Sequence, residues 1–302
     1  MHDLVRRIAK LAGWLVAFAV SVSAQATTFH TPHVIDQEMS LYRNIMVSEG
    51  EGFRCMTFGR FSGRQSCIQL ADPQILVQPY TWGMLSALYA QPEPRRILVI
   101  GLGGGVLPMA FRRVYPNAQI DAVDLDPAVL NVAERYFGFT PDDHLHAYAD
   151  DGRIFVRKQG RVGVRYDVII IDAFDQDYIP EHLLTVEFLA QVKSIMAPRS
   201  VLAANTFDGA LTPYETATYQ AVFGTIDAVD GEGGNRIILA GRDGLPSIAS
   251  LIATAHVLDA RLAPTKVTAA AVLPGLAVAP RSSVQPLTDQ FSPANLLLKY
   301  TH

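Results

Sequence analysis

The sequence predicts a doubly wound α/β domain preceded by a small β-region, and three observations carry this. Strand and helix patterns alternate from residue 95 to residue 207, the signature of a parallel sheet covered on both faces. A glycine-rich loop sits between the first of those strands and its helix, where backbone must turn tightly. Before residue 80, apolar and polar residues alternate over short segments, as in half-buried antiparallel strands.

The elements follow in order. "SLYRNIMVSEG", "FRCMTFGRF" and "RQSCIQLA" read as short strands, and "PYTWGMLSALYAQ" (79–91) as a helix starting after Pro79. "RRILVIGLGGG" is a buried strand running into the glycine loop, "VLPMAFRRVYP" a helix, and "AQIDAVDLD" a second strand. "PAVLNVAERYFG" is a helix with Pro near its start and Gly at its end. "HLHAYADDGR" and "YDVIIIDAF" are the third and fourth strands, "PEHLLTVEFLAQVKSIM" a helix, and "SVLAANTF" the fifth strand. Beyond residue 209, "PYETATYQAVFGTID" and 246–262 read as helices, "NRIILAG" as a strand, and 263–282 as a loop or insert. The expected division is 27–80 for the β-domain and 81–302 for the α/β domain.

The chain's first residues have the layout of a secretory signal. Arg6, Arg7 and Lys10 precede the uncharged 13-residue run "LAGWLVAFAVSVS", and "AQA" follows at Ala24–Ala26. That run is short for a bilayer span, which needs roughly 20 residues. The layout predicts cleavage after Ala26; the alternative is an uncleaved membrane anchor. Both put the globular part outside the cytoplasm, and a periplasmic location is expected. Cleavage would remove three cations and one anion, taking the net charge from −4 to −6. Neither value suits a nucleic-acid binder, and no basic stripe or zinc-type Cys/His spacing is present in the sequence. Cys55 and Cys67 are symmetric about residue 61 in a predicted hairpin, so they would sit opposite each other. A Cys55–Cys67 disulfide is therefore predicted, as an oxidising compartment permits.

The candidate site gathers at strand ends. Gly101, Gly103, Gly104 and Gly105 follow the first strand, Asp124 ends the second, and "DDG" (150–152) ends the third. An acid at Asp124 can accept both hydroxyls of a ribose, and one beside Gly152 can accept an adenine amine. The loop reads G-x-G-G-G, with Val106 where a dinucleotide fold places its third spaced glycine. An S-adenosyl-type ligand without phosphate suits it better. The fourth strand, "IIIDAFDQD", ends in Asp172, Asp175 and Asp177. Clustered carboxylates repel and resist burial, so they should face a cation. A protonated amine is expected and no metal: no ligand spacing supports a metal site.

In this order and spacing, "SLYRNIMV", "QSCIQL", "PYTWGML", "RRILVIGLGGGVLP", "DLDPAVLNVAERYFG", "DDGR" and "YDVIIIDAFD…PEHLLTVEFL" resemble the spermidine synthase (polyamine aminopropyltransferase) family, in its divergent spermidine synthase-like branch. The resemblance covers roughly residues 38–207. It implies a small N-terminal β-domain on a seven-stranded methyltransferase-like Rossmann domain, and commonly a homodimer. It also implies decarboxylated S-adenosylmethionine as aminopropyl donor (or ordinary S-adenosylmethionine as co-substrate), with no prosthetic group. By resemblance Gly101, Gly103 and Gly105 form the nucleoside loop, Asp124 binds the ribose, and Asp151 with Gly152 holds the adenine side. Asp172 and Asp175 match the D-x-x-D pair that handles the attacking amine, while Tyr42 and Tyr80 match substrate-side tyrosines. Asp177 is read as a solvated bystander.

The chain also departs from the family. The family loop contains an acid, of the type G-G-G-D-G-G, and here that acid is absent. The family's Tyr-His-Glu is Tyr80, Thr81, Trp82, the glutamine after Tyr42 is Arg43, and the proline after D-x-x-D is Gln176. Three activities are consistent with this: aminopropyl transfer to an amine, methyl transfer from S-adenosylmethionine, and nucleoside or polyamine binding without turnover.

Overall fold

The computed structural model describes residues 32–59, 63–173, 180–231 and 234–298. The expected signal segment, the tip of the Cys55–Cys67 hairpin, and Asp175 and Asp177 lie outside the described residues.

Four antiparallel strands form the first sheet: β1 (His33–Met39), β2 (Asn44–Gly50), β3 (Phe53–Phe58) and β4 (Arg64–Gln69). Their alternation buries Ile45 and Val47 on β2, and Met56 and Phe58 on β3. Glu51 and Gly52, both at positive φ (53° and 83°), make the two-residue turn from β2 to β3 that matches the strands' twist. Cys55 pairs with Cys67 in the β3–β4 register, and the disulfide is formed across that pair. Reducing it, or replacing both cysteines with alanine, is expected to cost about 2–4 kcal/mol. Urea unfolding with and without reductant would read this, and an unchanged midpoint would contradict a formed bond.

The segment 79–91 is two short helices, α1 (Pro79–Met84) and α2 (Ser86–Ala90), rather than the single helix expected. At the break the Leu85 amide donates to both Thr81 (3.3 Å) and Trp82 (3.0 Å) carbonyls, a tightening of the last turn. Gly83 lets α1 lie against the larger sheet, since a Cβ there would meet Ile237 Cγ1 at 2.6 Å.

The larger sheet contains β5 (Arg96–Ile100), β6 (Gln119–Asp124), β7 (Leu145–Ala149), β8 (Tyr166–Ile171), β9 (Met196–Phe207), β10 (Asp227–Asp230), β11 (Asn235–Gly241) and β12 (Ala277–Val278). Their order is β12-β10-β11-β9-β8-β5-β6-β7. The five strands β5 to β9 run parallel, and β11, β10 and β12 continue the sheet antiparallel. The sheet is thus mixed and has one strand more than the resemblance implied. Helices α3 (Val106–Val114), α4 (Pro127–Tyr136) and α8 (Ile248–Leu262) cover one face with α1 and α2. The opposite face carries α5 (Gly152–Val162), α6 (Val186–Ser194) and α7 (Thr212–Phe223). Strand β8 feeds both cores, Val168 and Ile170 to one side, Ile169 and Ile171 to the other. This two-sided burial is why it reads as an unbroken apolar run.

Three features were not read from the sequence. Helix α5 buries only Gly152, Phe155 and Val156, a thin apolar face; its boundaries come from its caps, the Asp151 carboxylate accepting the Ile154 amide and Gly163 at φ 79°. The stretch 263–282 is packed structure, not an open insert: a turn at Ala263–Thr265, α9 (Ala269–Val272) and β12, with Val267, Val272, Leu273 and Leu276 buried. Residues 286–297 lead into α10 (Ala294–Leu298) and tie the fold near the strand ends. There Asp289 takes both guanidinium nitrogens of Arg153 at 2.7 Å and the Thr185 hydroxyl at 2.7 Å.

Candidate active site

The carboxyl ends of β5, β6 and β8 are drawn together by backbone. The Gly101 amide donates to the Val123 carbonyl (2.8 Å) and the Asp172 amide to the Ile100 carbonyl (2.7 Å). Gly101 has φ 96°, and a Cβ on it would stand 1.9 Å from the Asp172 carbonyl oxygen. Only glycine permits that approach. Further along the loop the backbone meets the N-terminal sheet: the Gly104 amide donates to Ser66 Oγ (2.9 Å). Gly101, Gly103 and Gly152 line the cleft, whereas Gly105 does not. Gly105 precedes α3 at φ 71° and packs under Phe139.

This cleft, of about 220 Å³, opens between the two sheets. Asp124 accepts the Leu102 amide (2.9 Å) and the Asp126 amide (3.1 Å) on separate oxygens. Burial pushes its pKa up, against the pull of those amides and of Arg43. Asp151 accepts the Ile154 amide (2.9 Å) on one oxygen and faces His182 Nε2 (2.7 Å) with the other. The His182 contact, chiefly, holds the Asp151 carboxyl below its usual range.

Asp172, one residue past β8, is half-buried in the wall of the cleft. Burial raises its pKa to about 6, opposed by hydrogen bonds from Asn205 and Tyr80, with Asp124 adding to the rise. Asn205 Nδ2 donates to Asp172 Oδ1 (2.9 Å), and Asn235 Nδ2 donates in turn to Asn205 Oδ1 (2.9 Å). The Tyr80 hydroxyl lies 3.1 Å from the Gln65 carbonyl, to which it can donate, and burial with the neighbouring Asp172 raises its pKa well above the phenol range. Trp82 is a structural residue, its indole N–H donating to the Leu76 carbonyl (2.6 Å).

The structure therefore brings Gly101, Gly103, Asp124, Asp151, Gly152, Asp172 and Tyr80 to one cleft. The placement of Tyr42 differs from the expectation. It is 52% exposed and is not among the lining residues; Arg43 takes the wall instead, its guanidinium 4.3 Å from the Phe58 ring centroid. The turn between β1 and β2 directs one residue of this pair inward, and the alternation makes that residue the arginine. Asp175 lies outside the described residues. Sequence reasoning missed His182, Asn205, Asn235 and Ser66, which meet the site across strands and sheets far apart in the chain. The one available signal was the placement of Asn205 and Asn235 at polar ends of otherwise apolar strands.

Known proteins place this geometry. A model of the spermine/spermidine synthase domain matches residues 84–223. The chain is 40% identical over 273 residues to the polyamine aminopropyltransferase of Vibrio vulnificus, covering 87% of this chain and 91% of that protein. The chain belongs to the spermine/spermidine synthase family. It is accordingly a transferase with polyamine aminopropyltransferase activity, in a family whose co-substrate is decarboxylated S-adenosylmethionine. Among solved structures, a "probable spermidine synthase" from Corynebacterium glutamicum shares the fold, with a TM-score of 0.68, 21% identity, and coverage of 87% of this chain and 98% of that one. Human Methyltransferase-like protein 13 in complex with SAH is 28% identical, with a TM-score of 0.56, covering 62% of this chain and 93% of that one.

Proposed function

We propose that the chain moves the aminopropyl group of decarboxylated S-adenosylmethionine to a primary amine, with Asp172 as general base and Asp175 as the second anchor of the amine. The observation that carries this reading is Asp172 itself: a half-buried carboxylate lining the cleft, its pKa raised by desolvation to about 6. Such a group is about nine-tenths ionised at neutral pH, yet basic enough to take a proton. The amine arrives as an ammonium, which the carboxylate binds and orients. Asp172 takes the proton, and the freed lone pair attacks the propyl carbon next to sulfur. The C–N bond forms as the C–S bond breaks, its electron pair going to sulfur. The sulfonium becomes a neutral thioether, so no acid is needed for the leaving group.

The donor fits the remaining residues. Each oxygen of Asp124 accepts one amide and keeps a second lone pair for a ribose hydroxyl. Gly101 and Gly103 let the nucleoside approach backbone, and Asp151 with Gly152 flanks the adenine side. The second reading, methyl transfer from ordinary S-adenosylmethionine, has one feature in its favour. The loop lacks an acid to bind the donor's amine, while Arg43 and Arg64 line the cleft and could face a carboxylate. Calorimetric titration of the purified protein with both donors and with methylthioadenosine separates the two. The proposal expects the decarboxylated donor to bind more tightly, and preference for the carboxylated donor would overturn it.

Export to the periplasm and homodimerisation belong to the same proposal. The N-terminal charge and apolar pattern and the Cys55–Cys67 bond support an oxidising compartment. Protein recovered from cells would then begin at Thr27.

A further inference from the structure

We propose that Asn235 is a positioning residue that holds Asp172 in its working orientation through Asn205. This rests on Asp172 being the base. An ionised carboxylate can only accept, so Asn205 must turn its NH2 toward Asp172, as its Nδ2 does at 2.9 Å. That orientation leaves the Asn205 amide oxygen pointing toward β11, where Asn235 Nδ2 donates to it at 2.9 Å. The three groups form a chain with one direction: Asn235 to Asn205 to Asp172. Turning either amide over would set oxygen against oxygen at one link.

The register explains how the two amides meet. On the antiparallel pair β9–β11, Asn205 stands opposite Ile237 and Asn235 opposite Phe207. The amides are therefore diagonal neighbours on the sheet face that looks into the cleft. Asn205 is 6% exposed, so its carbonyl oxygen has little access to water and depends on a protein donor. Other polar groups line the same cleft: Tyr80 on α1, Asp124 at the end of β6, Asp151 before α5, His182 after β8, and Arg43 and Arg64 from the N-terminal sheet. Of these, Tyr80 acts on Asp172 by hydrogen bonding and Asp124 through its charge; Asn235 acts by fixing which end of the Asn205 amide the carboxylate meets. Glu215 lies on the opposite side, under Thr206.

Two readouts test this. The first is the titration of the Asp172 carboxyl followed by 13C NMR in the ligand-free protein, its signal assigned with Asp172→Asn. The second is the pH dependence of kcat/KM. Asn235→Ala removes the donor that locks the amide without adding charge, and should raise the Asp172 midpoint by about one unit. A shift of that size lowers the ionised fraction about fivefold at pH 6 and by less than about 1.5-fold at pH 8. Activity should follow the same pattern. Asn235→Asp should shift the midpoint further, since its carboxylate attracts the Asn205 NH2 away from Asp172. An unchanged midpoint in both folded variants overturns the proposal, as does an equal loss of activity at pH 6 and pH 8. The NMR titration needs no turnover. A shifted midpoint in a protein that transfers nothing would uphold the relay and reject the catalytic reading; normal transfer with an unshifted midpoint would do the reverse.

Discussion

Asp172→Asn is expected to lower the rate of transfer by about 10²–10⁴-fold while nucleoside binding stays within a few-fold of the parent. The substitution removes the base and little else. An asparagine at 172 still offers an oxygen to Asn205 Nδ2, so the 2.9 Å contact can persist, and the nucleoside contacts proposed for Gly101, Gly103 and Asp124 do not involve its side chain. The pH dependence carries the same signature. Asp172 works only when ionised, so activity rises with pH through about 6, the value to which burial lifts its carboxyl, and falls about tenfold per unit below it. The variant's residual activity should lack that limb. Stability moves the opposite way. A folded-state pKa above the ordinary value of 3.8 means the folded form holds the proton more tightly than the unfolded chain. The contribution is present below about pH 4 and is lost as pH rises through 6. Asp172→Asn should therefore gain stability over the parent between pH 4 and pH 7, by about 1–3 kcal/mol. A variant that is both inactive and less stable at pH 7 would indicate a structural role instead.

Gly101→Ala is expected to be the most damaging single-methyl change in the cleft. Its Cβ would stand 1.9 Å from the Asp172 carbonyl oxygen, at φ 96°. Neither partner can yield easily, because the Asp172 amide is bonded to the Ile100 carbonyl at 2.7 Å. Backbone strain and forced separation each cost about 1–3 kcal/mol, for a combined loss of roughly 2–6 kcal/mol and a displaced Asp172. Gly163→Ala is the control. It has a similar positive φ of 79° at the end of α5, with nothing within 4 Å of the added carbon, so it carries strain without collision. Urea midpoints of the two variants give the difference. Equal losses would mean that the β5–β8 approach is looser than the structure describes.

The parts legible in the sequence were those set by local pattern. The Val168–Ile171 run, the glycine loop and the acids at strand ends follow from two-sided burial and from the ligand crevice of an open sheet. The Cys55–Cys67 pairing followed from hairpin symmetry. What escaped depends on partners distant in the chain. His182 meets Asp151 across 31 positions and Ser66 meets Gly104 across 38, contacts that no spacing rule anticipates. Asn205 and Asn235 read as ordinary strand residues until the β9–β11 register puts them side by side. Tyr42 matches a substrate-side tyrosine by resemblance, yet the turn between β1 and β2 leaves it 52% exposed and puts Arg43 in the cleft wall. The break at Leu85 comes where α1 lies close against Ile237 through Gly83, a tertiary contact that the helical pattern of 79–91 does not show.

The most direct test of aminopropyl transfer is product analysis by mass spectrometry. The purified protein is incubated with decarboxylated S-adenosylmethionine and a diamine such as putrescine, and in parallel with ordinary S-adenosylmethionine. The account predicts methylthioadenosine and an aminopropylated amine in equal amounts from the first mixture, with formation falling below about pH 6. Methylated amine and S-adenosylhomocysteine from the second mixture, with no aminopropyl product from the first, would contradict it.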